Sequence, residues 1–293
     1  MGAPILAAAE CADDRVQRLY LRLPEDPLAG PESDTPAHTM SGFAVAPALR
    51  DTLAHLLLYR ETLAPGQSLV ERVLPDGAVR LTVHLGERPH AEVIGPWPAP
   101  ALVTLQGAMH GLTATLQPGA AAALLGVPAH HLTGRVLALD DLWGTAGRDL
   151  AERVALARGD AARAALLQAL LRARRGARAA PPAVAAAARA IAAGAGARPL
   201  RALADELGLG ERRLQQLFRE HVGLSPRTAA RLARLQALLR ALRRPQPLPW
   251  AELAPAHGYY DQAHLANEFR ALCGLSPGAF AGRSVSRSSK TAG

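Results

Sequence analysis

The last hundred residues of this 293-residue chain carry a duplication. Leu203, Ala204 and Gly208 recur 50 positions on as Leu253, Ala254 and Gly258. One residue then enters the second copy. Leu214, Phe218, Arg219, Gly223, Leu224, Ser225 and Pro226 recur 51 positions on as Leu265, Phe269, Arg270, Gly274, Leu275, Ser276 and Pro277. Most of these are glycines, Ser-Pro pairs or apolar types. Such a pattern requires one supersecondary unit built twice.

Each copy reads as helix–turn–helix. In the first, Leu200–Leu207 is a short helix that stops at Gly208, where glycine tolerates the left-handed turn of a helix end. Glu211–His221 follows, with Glu211 favourable at its positive end. Leu214, Leu217 and Phe218 fall on its inner face. Arg212, Gln215, Gln216 and Arg219 form the opposite stripe, all side chains able to reach base edges or phosphates. Gly223 ends that helix, and Ser225-Pro226 starts a long one, Pro226–Leu242. This connector carries Arg227, Arg231, Arg234 and Arg240, with Arg243 and Arg244 just beyond. In the second copy Trp250–Ala256 precedes Gly258, and Pro255 should limit that helix to about two turns. Gln262–Leu272 turns Leu265, Phe269 and Leu272 inward and Gln262, Ala263, His264, Ala266, Asn267 and Arg270 outward.

Charge agrees with this division. Residues 1–180 hold 17 Arg and 18 Asp plus Glu, net −1; residues 181–293 hold 16 Lys plus Arg and 7 acids, net +9. A near-neutral module joined to a basic one is the pattern of a polyanion-binding domain. Taken alone, the excess reads equally well as a solvated arginine-rich surface.

The segments LFREHVGLSP (217–226) and GYYDQAHLANEFRALCGLSPGAF (258–280) resemble the tandem helix–turn–helix domain of the AraC/XylS family of bacterial transcriptional regulators, over about residues 185–282. The resemblance implies two small helical subdomains joined by one long helix, each placing a recognition helix in successive major grooves of double-stranded DNA. It assigns base reading to Arg212, Gln215 and Gln216 in the first helix. In the second it assigns Gln262, Ala263, His264 and Asn267. Arg213, Arg219, Arg270 and Arg231 join the expected DNA-binding set. Arg is more usual in the family where Gln216 and Asn267 sit. With Ala263, that departure predicts weaker base reading by the second helix.

Residues 1 to about 116 read as β-rich. Apolar runs at Leu19–Leu23, His55–Arg60, Leu69–Leu74, Val79–Leu85, Ala91–Ile94, Leu102–Leu105 and Gly111–Leu116 alternate with turn signals such as Pro75-Asp76-Gly77. Their spacing suits a small barrel or sandwich, and Pro24–Pro36 reads as a loop. Short helices are expected at Gly119–Leu125 and Pro128–Leu132. Longer ones are expected at Thr145–Ala157, at Asp160–Arg174 with Asp160 as N-cap, and at Ala183–Ala193. The Leu166, Leu167, Leu170 and Leu171 stripe reads as core rather than a dimer seam. RVLPDGAVRLTVHLG (72–86) and the segment 116–144 are similar to β-rich domains that precede such DNA-binding domains and sense small molecules or dimerise.

The expected fold class is therefore α+β. A β-rich N-terminal domain with flanking helices occupies residues 1–175 and a linker 176–182. An all-α domain of two helix–turn–helix subdomains fills 183–283, before a disordered tail at 284–293. No cofactor is expected. His84, His90 and His110 fall in the β-rich part and could line a cupin-like metal site, but no HxH or HxxxH pair with a following carboxylate is present, so the structural reading is favoured and no metal site is assigned. His130 and His131 read as surface, Cys273 as core and Cys11 as part of a frayed terminus. Trp97 and Trp143 could line an apolar pocket, though ordinary core or loop packing is the favoured reading, and Asp76 reads as a turn residue. Asp34, His38 and Ser41 lack the surroundings of a hydrolase nucleophile. No phosphate-binding loop or dinucleotide fingerprint appears.

These features favour a non-enzymatic transcription factor with an N-terminal sensor or dimerisation domain. The alternative is a small-molecule-binding or enzymatic N-terminal module whose DNA binding serves autoregulation. RNA polymerase, an unidentified effector and a second copy of the chain are the further partners considered. No long apolar run or secretory leader is evident, so membrane partners are not expected. A cytoplasmic, nucleoid-associated protein is expected.

Overall fold

The computed structural model describes residues 6–8, 18–20, 40–176, 179–242 and 249–281. The expected loop at 24–36, Cys11, Asp34, His38, Arg243, Arg244, part of the expected linker and the tail lie outside these residues.

The N-terminal half is two packed sheets. The smaller has the order β1 (Leu6–Ala8), β8 (Ala101–Gln106), β5 (Ser68–Val73), β2 (Arg18–Tyr20). The larger runs β10 (Val136–Ala138), β7 (His90–Ile94), β6 (Arg80–His84), β9 (Ala108–Leu116), β4 (Leu53–Thr62), β3 (Met40–Phe43). All pairings are antiparallel except β2 with β5. Strand alternation gives the larger sheet two different faces. Leu56, Leu58, Leu81, Val83, Val93, Leu112 and Ala114 point outward into the main core. Helices α1 (Ala121–Leu125), α2 (Leu139–Trp143), α3 (Thr145–Leu156) and α4 (Asp160–Arg174) supply the rest of that core through Leu124, Leu139, Leu150, Val154, Leu167 and Leu171. Burial of Leu167 and Leu171 places the α4 stripe in the core, as expected.

Local readings differ in places. Asp160 is the first residue of α4 and Gly159 its N-cap. Its carboxylate instead pairs with Arg60 and Arg163. Ala129–His131 is a single 3-10 turn, and α2, β3 and β10 come from stretches without a clear period.

The C-terminal half is all helix: α5 (Pro182–Ala193), α6 (Leu200–Glu206), α7 (Glu211–Val222), α8 (Pro226–Leu242), α9 (Trp250–Ala256) and α10 (Gln262–Cys273). α9 spans seven residues with Pro255 inside it, the two turns expected. Two cores form. One joins α5, α6 and α7 around Leu214, Leu217 and Phe218. The other joins α8, α9 and α10 around Leu265, Phe269 and Phe280, and Leu74 of the N-terminal half completes it. Hence the halves are packed together. Gln236 Nε2 donates to the Pro75 carbonyl at 3.0 Å, and Thr133 Oγ1 to the Gly223 carbonyl at 2.6 Å. A side chain at Gly77 or Gly274 would collide with Leu224 or Arg72 respectively.

Candidate nucleic-acid interface

The repeated Gly-Leu-Ser-Pro has one physical job per residue. Gly223 and Gly274 adopt φ of +85° and +66° and cap α7 and α10, as left-handed C-caps do. Leu224 and Leu275 plug the core beneath. Ser225 Oγ accepts from the Thr228 N–H at 3.0 Å, and Ser276 Oγ from the Ala279 N–H at 3.2 Å, so each serine caps the next helix. Pro226 and Pro277 follow at positions that need no N–H.

Helix phase sorts the expected readers. Leu214, Leu217 and Phe218 of α7 are buried, as are Leu265, Phe269 and Leu272 of α10. Arg212, Arg213, Gln215, Gln216 and Arg219 are exposed together on α7. Gln262, Ala263, Asn267 and Arg270 are exposed together on α10. Arg213 donates to Gln216 Oε1 at 3.0 Å, which steadies that amide.

Two residues of the expected set have other partners. His264 is half-buried. Its backbone N–H donates to Asp261 Oδ1 at 2.7 Å, and its ring Nδ1 accepts from the Tyr260 N–H at 3.1 Å. This reciprocal cap is a variant of the capping box. With Nδ1 accepting, Nε2 carries the ring proton, so His264 offers a donor outward. Arg231 does not stand free on the connecting helix. It grips Glu268 of α10 through two hydrogen bonds of 2.8 Å. The Arg231 hydrogen bonds hold the Glu268 carboxyl below its usual range, and Glu268 raises the Arg231 guanidinium. Its position comes from a contact 37 residues away, which local spacing does not reveal. Tyr260, 91% exposed beside the α10 N-terminus, escaped the sequence reading.

α7 also meets the N-terminal half. It packs on the turn Ala129–His131. His130 is half-buried there, whereas its sequence reads as surface. Burial, then the charges of His131 and Arg219, keep its imidazole below the usual range. Cys273 is fully buried, and burial pushes its thiol up, so it is inert core as expected.

Between the two sheets lies a cavity of about 240 Å³. Its walls include Tyr59, Arg80, Thr82, His84, Glu92 and Thr113 on one side, and Glu71, Val103 and Leu105 on the other. Trp97 lines it too, while Trp143 is core with Arg174 stacked on its ring. Asp76 caps its own turn by accepting from the Ala78 N–H at 3.0 Å, and pairs with Arg80. A second cavity, of about 290 Å³, separates the halves and also touches Asp76. The segment 74–79 is thus a wall shared by both spaces.

Among the described residues, no helix is long and apolar enough to cross a membrane. A family profile described as a helix-turn-helix domain matches residues 203–283. A domain of unknown function (DUF6597) matches residues 42–138. The HTH-type transcriptional regulator GlxA of Rhizobium meliloti (strain 1021) is 38% identical over 91 residues, 30% of this chain. That stretch spans only 28% of the relative's length. Among solved structures, the C-terminal domain of AraT, a response regulator from Geobacillus stearothermophilus, is similar at 22% identity and TM-score 0.33, covering 35% of this chain and 85% of that one. Unsaturated fatty acid-bound ToxT from Vibrio cholerae is similar at 10% identity and TM-score 0.37, covering 77% and 94%.

Proposed function

We propose, from the premise that residues 203–283 are a helix-turn-helix domain of the AraC/XylS type, that this protein is a DNA-binding transcriptional regulator modulated through its N-terminal half. The observation that carries the reading is the pair of matched polar stripes, on α7 and on α10, each opposite a buried Phe. One stripe per subdomain, joined by α8, suits two successive major grooves of one duplex. Arg212, Gln215 and Gln216 supply the paired donors that guanine and adenine edges accept. Gln262, His264, Asn267 and Arg270 engage the second groove, and Tyr260 the adjacent backbone.

Residues 1–175 act as the sensing module, and the cavity between its sheets is the space for an effector. The wall at 74–79 supports the coupling. An occupant that moves Asp76 also moves Leu74 and Pro75, which are seated in the C-terminal half through its core and through Gln236. RNA polymerase and a second copy of the chain are the protein partners of this reading.

The test is a binding-site selection with the full chain, followed by footprinting of the selected duplex. Two protected blocks about one helical turn apart on one face are expected. A single block, or selection of no consensus, would overturn the two-groove reading.

A further inference from the structure

Sandwich interiors are ordinarily apolar. Here the inner face of the larger sheet is polar, and the strand register fixes which residues share it. His84 stands opposite His90, and Thr82 opposite Glu92. Two imidazoles and a carboxylate therefore occupy adjacent positions on one face of the β6–β7 hairpin. That placement follows from the ladder, not from a choice of rotamer.

The donor atoms of the three residues all lie within 4.8 Å of one another. His84 Nε2 is 3.1 Å from Glu92 Oε1, and Nε2 is buried without a hydrogen bond of acceptable geometry. Two ligands held about 2.1 Å from one ion stand roughly 3.0–3.4 Å apart. This pair is already at coordination spacing. His90 is exposed, and its ring stacks on that of His84 with centroids 4.4 Å apart, so binding would require it to turn its Nε2 toward the pair.

The far nitrogens support the same assignment. His90 Nδ1 lies 3.2 Å from the Arg88 carbonyl. A carbonyl only accepts, so Nδ1 holds the proton and Nε2 keeps its lone pair. His84 Nδ1 is 2.7 Å from the Tyr59 hydroxyl. Gly111 lies between them on β9, where any side chain would collide with the phenol. A hydroxyl can accept, so Nδ1–H directed at Tyr59 frees Nε2. Metal-binding histidines anchor their second nitrogen in this way.

We infer that His84, His90 and Glu92 bind one divalent transition-metal ion. It sits at the edge of the cavity, with its remaining coordination positions open to that space. Two imidazoles and a carboxylate favour Zn²⁺, Fe²⁺, Co²⁺ or Ni²⁺ over Mg²⁺ and Ca²⁺, which prefer all-oxygen shells. The open positions suit an oxygen donor from a molecule in the cavity. The site stands independently of the DNA-binding reading.

The test uses tag-free full-length protein, stripped with a chelator and then freed of it. Calorimetry with Zn²⁺ should give one equivalent per chain at micromolar affinity or tighter, and Mg²⁺ should give no heat. Co²⁺ should develop visible absorption bands. His90→Gln on the exposed strand end and the near-isosteric Glu92→Gln should each weaken Zn²⁺ by tenfold or more, with unchanged melting of the metal-free protein. Tyr59→Phe should weaken it by on the order of tenfold through the lost anchor. No Zn²⁺ binding by the wild-type chain would overturn the inference, and so would binding that His90→Gln and Glu92→Gln leave intact.

Discussion

The two helix–turn–helix copies share a core plan but differ in what holds the second helix of each. α7 begins at Gly210, which offers no side-chain cap. α10 begins at Asp261, which accepts from the His264 N–H, while His264 returns a bond to Tyr260. The one-residue insertion makes room for this, seating Tyr259 in the core, 3% exposed, under Arg234. Arg231 then ties α10 to α8. α7 instead leans on the turn Ala129–His131 and on Thr133. So α10 is capped and ion-paired within its own subdomain, while both subdomains also meet the N-terminal half, α7 at the turn Ala129–His131 and the second core through Leu74.

That contrast can be broken most directly at the cores. Phe218→Ala and Phe269→Ala should each cost roughly 3–5 kcal/mol, the scale for a deleted buried aromatic. Thermal melts should show a large loss for both, and unchanged melting of either would misplace its helix phase. Next come the stripes. Arg212→Ala or Gln216→Ala should lose about 1–3 kcal/mol of discrimination at one half of the selected site. Asn267→Ala should change the consensus less, and the reverse order in a binding-site selection would refute the comparison. Asp261→Ala should destabilise the second subdomain by ~1 kcal/mol as a lost cap. Gly210→Ala, with no side-chain bond to lose, should show a smaller change by chemical denaturation. The smallest effect concerns Arg231. Its pair with Glu268 is partly exposed, so Arg231→Ala should cost under about 1 kcal/mol. Because the folded Glu268 carboxyl titrates below its usual range, the pair contributes fully above that range. The contribution is lost as pH falls through the folded value. Glu268→Gln should therefore lose this small contribution at neutral pH, change little at strongly acidic pH, and so flatten the acid limb of the stability curve.

The C-terminal half was legible because its signals are local. Gly208, Gly223, Gly258 and Gly274 mark turns, and a 3.6-residue period sorts Leu214 and Phe218 from Arg212 and Gln215 within a single helix. The expected bounds of α8 and α9 match the observed ones. What escaped was long-range. Arg231 reads as a free cation until α10 brings Glu268 to it. Linear motif reads the histidines as structural and starts the β7 run at Ala91; the strand starts at His90 instead. With the Gly86 and Pro89 loop between the strands, that single residue sets His84 opposite His90 and brings Glu92 alongside. Register is a relation between two segments, and neither segment states it alone.

The wall at 74–79 bears on how such proteins can be recombined. A chimera cut at residues 176–182 would exchange helices yet leave Leu74, Pro75 and Gly77 facing an unfamiliar surface. Leu74 would lose its seat and Gln236 its acceptor. A grafted C-terminal half would then lack the contacts that Leu74 and Pro75 make with it. Preserving the packing between the halves requires moving this six-residue seam together with the helices it touches, so the unit that joins them is discontinuous in sequence.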